Sequence, residues 1–121
     1  MEQTLIIDSS YNASPASIEA MLGVAYRIKH DVYMDNRPLI GIIGEMRELG
    51  DLSEHAHRTI AGILGQGLDQ IILVGQEVLY TMDELQKIGY PIEQIKHFTS
   101  SREAGKRVKQ YIIDKKNNRK T

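Results

Sequence analysis

Two stretches of the chain concentrate side chains that can do chemistry. In "TLIIDSSYNASPAS", Thr4 to Ser17, the apolar run Leu5, Ile6, Ile7 stops at Asp8, and Ser9, Ser10, Tyr11 and Asn12 follow before Pro15. A carboxylate at the end of a buried strand can accept hydrogen bonds from a ribose diol or bind a cation. Its competing role is to cap its own turn. Tyr11 can stack on a planar ring or pack as a lid over the turn. Asn12 suits a polar contact or plain turn chemistry, and Ser14 reads first as a helix cap.

The second stretch is "IGEMRELGDLSEHAH", Ile43 to His57. Glu45 and Glu48 stand three apart in an irregular segment. Hard cations want more ligands than two carboxylates, so a solvated face is the plainer reading. His55 and His57 are two apart and do not share a helical face, so the zinc-binding logic of HExxH fails. His57 lies closer to the apolar stripe and reads as structural. The chain has no GxxxxGK[ST] phosphate loop and no GxSxG nucleophile elbow, and "GIIGEMRELG", Gly41 to Gly50, is not GxGxxG.

The elements that position these residues alternate along the chain. Leu5 to Ile7 reads as a strand buried on both faces. Ser14 and Pro15 open a helix whose stripe is Ile18, Met21, Leu22, Ala25 and Ile28. Pro38 to Met46 holds a second strand that ends at Gly44. Gly50 marks a turn, Ser53 is a candidate cap, and Ala56, Ile60, Ile63 and Leu64 share one helical face. Gln70 to Gly75 is a third strand. Val78, Leu79, Met82, Leu85 and Ile88 form a third helix, stopped at Gly89 before Pro91. Ile95 to Phe98 is a fourth strand, and Ser101 would cap a fourth helix. The order βαβαβαβα, with continuous apolar strands, predicts an α/β fold. It is a Rossmann-like three-layer domain, a mostly parallel sheet with helices on both faces. Residues 1–113 form this domain, and 114–121 read as a polar tail or cut linker. In such sheets ligands sit beyond the carboxyl ends of the strands.

Composition narrows the class further. A chain of 121 residues is one domain's worth, 41% hydrophobic and 26% charged, as in soluble globular proteins. A net charge of -1 gives no global field for nucleic acid or an anionic membrane. Without cysteine there is no disulfide framework, thiolate metal site or cysteine nucleophile. No apolar run reaches membrane-spanning length, and no signal peptide opens the chain, so a cytoplasmic location is expected.

The two stretches also carry a resemblance. "IDSSYNASP", Ile7 to Pro15, resembles the motif that opens the C-terminal domain of Mur ligases. The match is closest in the branch that joins D-alanyl-D-alanine to UDP-MurNAc-tripeptide, where the usual form is DDSYNANP. "IGEMRELGDLSEHAH" is similar to that branch's GDMxELG block, with His57 in the place of its histidine. "GLDQIILVG", Gly67 to Gly75, resembles the strand that follows. The resemblance covers Leu5 to about Gly75, with a looser match onward. It departs at Ser9, where the family has a second acid, and at Ser14, where Asn is common. The family's later strand with a Lys-Gly-Ser segment, and its last helix, have no counterpart in this sequence.

The resemblance implies an ATP-dependent peptidoglycan-precursor ligase. ATP and Mg2+ would be held mainly by a central domain, and the UDP-sugar by an N-terminal domain. This domain would close over the nucleotide, and the chain alone would be inactive. Asp8, Tyr11 and Asn12 would face the nucleotide. Ser14, Pro15, Glu45, Glu48, Gly50 and His57 would support the motifs. No catalytic residue, metal ligand, nucleic-acid partner or membrane insertion is expected. A stand-alone nucleotide or small-ligand binding module on the same fold is the alternative.

Overall fold

The computed structural model describes residues 5–9, 14–30 and 38–120. The elements are β1 (Leu5–Asp8), α1 (Pro15–Ile28), β2 (Leu39–Gly44), α2 (Ser53–Leu64), β3 (Gln70–Val74), α3 (Val78–Lys87), β4 (Ile95–Phe98) and α4 (Ser101–Lys120). Short 3₁₀ turns at Gly50–Leu52 and Ile92–Gln94 lead into α2 and β4. The strands form a 4-stranded sheet in the order β1-β2-β3-β4, and every described pairing is parallel. This is the α/β three-layer arrangement the sequence predicts.

The apolar runs are continuous because β2 and β3 are buried on both faces at every position. Alternation along each strand then divides their side chains between two cores. Ile7, Leu39, Ile43, Ile71 and Leu73 pack against Ile18 and Leu22 of α1, Ile60 and Leu64 of α2, and Val78 and Leu85 of α3. Ile40, Ile42, Ile72 and Val74 pack against Ala104 and Val108 of α4. The uneven sharing follows from the strand order. Right-handed crossovers that advance in one direction put α1, α2 and α3 on the same face. Among the described elements only α4 covers the other. Ile6, on that second face, is therefore 42% exposed at the β1 edge.

Local signals behave as side-chain chemistry dictates, with two corrections. Ser14 caps α1 in a reciprocal box with Ser17, and Pro15 takes the first helical turn. Gly89, at a φ of 91°, ends α3, and Tyr90 N–H closes the turn on Leu85 O at 2.9 Å. Ser53 does not cap α2. The 3₁₀ turn runs straight into the helix, Leu52 holds the cap position, and the Ser53 hydroxyl donates to Glu77 Oε1 at 3.0 Å. Ser101 is already the first residue of α4, and the capping hydroxyl is that of Ser100 before it, which accepts from Glu103 N–H at 3.3 Å. The helix runs through the polar end to Lys120.

The amino-terminal edge of the sheet is pinned by polar side chains. Asp69 Oδ2 accepts from Leu39 N–H and from Lys29 Nζ, both at 2.7 Å. Tyr26 OH donates to Ile63 O, and Tyr90 OH to Leu68 O, each at 2.8 Å. Burial pushes the Tyr26 phenol up to about 12, and burial with the nearby Asp69 charge raises Tyr90 as well. Both phenols thus stay protonated donors, holding the link between α2 and β3. On the outer surface Arg58 ties α2 to α3 by donating to Glu54, Asp83 and Glu84.

Candidate functional site

The described segments at the carboxyl edge of the sheet are Ser9 after β1, the β2–α2 loop, the β3–α3 loop and the short β4–α4 turn. The strand order runs straight from β1 to β4. The described strands thus contain no order reversal, the place where doubly wound sheets open a nucleotide crevice. Any ligand at this edge must be held by the loops themselves.

Asp8 ends β1, stands level with Ile42 of β2 and is exposed. By alternation it lies on the α4 face. Ser9 continues the ladder: its N–H donates to Ile42 O at 2.8 Å, its hydroxyl reaches the same oxygen at 3.3 Å, and it is 6% exposed. The serine has a physical reason here, because a carboxylate would be buried against a carbonyl oxygen. Sequence reasoning saw Ser9 only as a departure from a motif. Tyr11 and Asn12 lie outside the described residues.

Glu45 leaves β2 on the opposite face. Its Oε2 accepts from the N–H groups of Gln76 at 2.9 Å and Glu77 at 3.0 Å, capping α3 from 31 residues away. The Glu77 N–H holds the Glu45 carboxyl below the usual carboxylate range. Burial works against this, and the Gln76 N–H and the Arg47 charge assist. Asp8 and Glu45 share the edge but not a face, so the structure does not join them into one carboxylate pair.

Glu45→Gln is expected to cost about 1 kcal/mol at neutral pH, the worth of a charged cap. The sign with pH follows from the lowered folded value. The carboxylate's contribution is complete above the ordinary glutamate value of about 4.3 and fades as pH falls through the lower folded one. Urea melts of both proteins at pH 7 and pH 3 should show the gap narrowing at pH 3. An equal gap at both would assign the effect to packing.

His57, in the first turns of α2, is fully buried. Met46 N–H donates to its Nε2 at 3.0 Å, which places the ring proton on Nδ1, and Nδ1 donates to Ser53 O at 2.7 Å. Thr81 Oγ1 donates to His57 O at 2.7 Å. His57 therefore braces the β2–α2 loop against α2, while His55 is exposed. The pair is separated, as the spacing requires. Glu48 and Gly50 take positive φ, 63° and 55°, on either side of the half-buried Leu49. Sequence reasoning missed the Ser53–Glu77 bond, the Glu45 cap and Thr81. Each depends on residues that only the sheet brings together.

Comparison with known families decides the class. A family model described as "Mur ligase, glutamate ligase domain" matches residues 1–116. The chain belongs to the Mur ligase family. No curated protein matches it. Mur ligases are ATP-dependent ligases of peptidoglycan-precursor assembly, so the fit of ATP and Mg2+ to this Mur ligase domain can be judged from its residues. The amino end of α3, where a phosphate could bind, is filled by the Glu45 carboxylate. Among the described residues no group of three His, Asp or Glu side chains is placed to hold a metal ion. The triphosphate and its cation do not fit these residues. No helix among the described residues is long and apolar enough to cross a membrane.

Proposed function

We propose that this Mur ligase domain is the C-terminal, nucleotide-closing part of the ligase that adds D-alanyl-D-alanine to UDP-MurNAc-tripeptide in the cytoplasm. Residues 1–113 form the closing unit and 114–121 a polar extension. A central domain holds ATP and Mg2+, and an N-terminal domain holds the UDP-sugar. The observation that carries the reading is the family match over residues 1–116. The two ordered motifs support the D-alanyl-D-alanine branch, and the filled α3 amino end supports a domain that does not cradle phosphate itself.

In this role Asp8, with Tyr11 and Asn12 beside it, contacts the ribose side of ATP when the domain closes. The chain's own part is positioning: it excludes water and orients the nucleotide, and the reacting phosphate is held elsewhere.

The test uses the isolated chain and the full-length ligase. The 121-residue chain should release no phosphate from ATP. The full-length enzyme should release it only with both UDP-MurNAc-tripeptide and D-alanyl-D-alanine present. Asp8→Ala should raise the KM for ATP about tenfold, the worth of one lost hydrogen bond to a charged group, without unfolding the domain. ATP turnover by the isolated chain would sink the closing role. An unchanged ATP KM would leave Asp8 a turn residue.

A further inference from the structure

The near-zero net charge hides a separation along the chain. α4 holds eight basic and two acidic residues, and the remainder holds seven basic and fourteen acidic. Within α4 the cations are also sorted by face. Arg102, Lys106, Lys109, Ile113, Lys116 and Lys120 are spaced alternately four and three apart. At ~100° per residue these positions fall within an arc of about 80°, along about 27 Å of helix. Ala104 and Val108, on the opposite side, are 1% and 6% exposed and hold the helix to the sheet. Arg102, Lys106, Lys109 and Ile113 are exposed.

The fold does not use these charges. Arg102, Lys106 and Lys109 make no ion pair among the described residues, whereas Lys29, Arg58 and Lys87 each do. Both acids of the helix lie outside the arc, and Asp114 accepts instead from Gln110 at 2.9 Å. Like charges at these spacings repel, and a negatively charged partner relieves the repulsion. A straight stripe meets a flat surface along its whole length, while a curved duplex meets it only in part. Ile113, 41% exposed in the middle of the stripe, suits a surface with an apolar layer beneath its charges rather than a phosphodiester backbone. The same surface repels the acidic remainder of the chain, which leaves α4 as the face that approaches it. No helix among the described residues can cross a membrane, so the contact is superficial.

We infer that α4 docks the domain on an anionic phospholipid surface through this stripe. Co-sedimentation of the 121-residue chain with lipid vesicles tests it. Vesicles with about one-third phosphatidylglycerol in phosphatidylcholine should bind the chain, and pure phosphatidylcholine should not. Raising the salt from about 0.05 M to about 0.5 M should release it. Each cation near such a surface strengthens binding about fivefold, so the double variant Lys106→Glu, Lys109→Glu should weaken it at least about 25-fold. Arg27→Glu with Lys87→Glu makes the same change in net charge outside α4, and should stay within about threefold of wild type. All four side chains are exposed, so both doubles should melt within about 3 °C of wild type. Ile113→Ser should weaken vesicle binding severalfold.

No binding to the anionic vesicles would overturn the inference. So would equal losses in the two doubles, which would leave net charge as the cause, or equal binding to pure phosphatidylcholine. Matching affinity for a DNA duplex, with no effect of Ile113→Ser, would overturn it in favour of a general polyanion site.

Discussion

His57→Ala is expected to lower the unfolding free energy of the domain by about 3 kcal/mol. The side chain is fully buried and meets a donor on one nitrogen and an acceptor on the other. Alanine removes both partners at once. Met46 N–H and Ser53 O are then left facing a void, each at a cost of about 1–3 kcal/mol, partly relieved if water enters. The ring volume is lost from the packing between α2 and the β2 loop as well. His57→Gln should cost clearly less, because its amide oxygen can replace Nε2 as acceptor for Met46. Urea denaturation of the three proteins reads the order directly. A cost for alanine under about 1 kcal/mol would mean that the loop is held by something other than this ring.

Gly75→Ala should destabilise by a similar amount, about 3 kcal/mol, for a different reason. Gly75 has a φ of 112°, where a side chain is strained whatever space surrounds it. An added Cβ would also lie 2.8 Å from the Glu45 carboxyl carbon. That carboxylate cannot simply swing away, since Gln76 and Glu77 N–H groups hold it. Moving it uncaps α3. His97 adds a further tie by donating from Nε2 to Gly75 O. The double variant Gly75→Ala, Glu45→Gln separates the contributions: if the clash acts through the cap, the two losses should sum to less than their separate values. Full additivity, measured by denaturation, would leave backbone strain as the whole cause.

The frame of the fold was legible because its signals are local. Ser14 followed by Pro15 starts a helix wherever it falls, and Gly89 before Pro91 stops one. The continuous runs around Ile42 and Ile72 could only be strands covered on both sides. His57 was legible as a structural residue because it stood by the apolar stripe. What stayed hidden depends on the sheet. Glu45 looked like a solvated carboxylate because the amides it caps lie 31 and 32 residues further on. Ser53 looked like a cap because that is its local habit, until Glu77 claimed its hydroxyl. The placement of three helices on one face was not legible either, since periodicity sets a helix's apolar stripe but not the strand order that chooses its side.

That strand order also has a bearing on how the domain assembles. Neighbouring strands pair at separations of 34 residues for Leu5 with Leu39, 30 for Ile40 with Gln70 and 24 for Ile71 with Ile95. Each closure is one crossover long, and none waits on a distant part of the chain. Loop-closure entropy grows slowly over this range, so the sheet can extend outward one strand at a time from its doubly buried centre. Within the described sheet β1 makes the longest closure and, like β4, pairs on one side. Asp8 therefore rides on an edge strand whose pairing closes the longest loop of the described sheet.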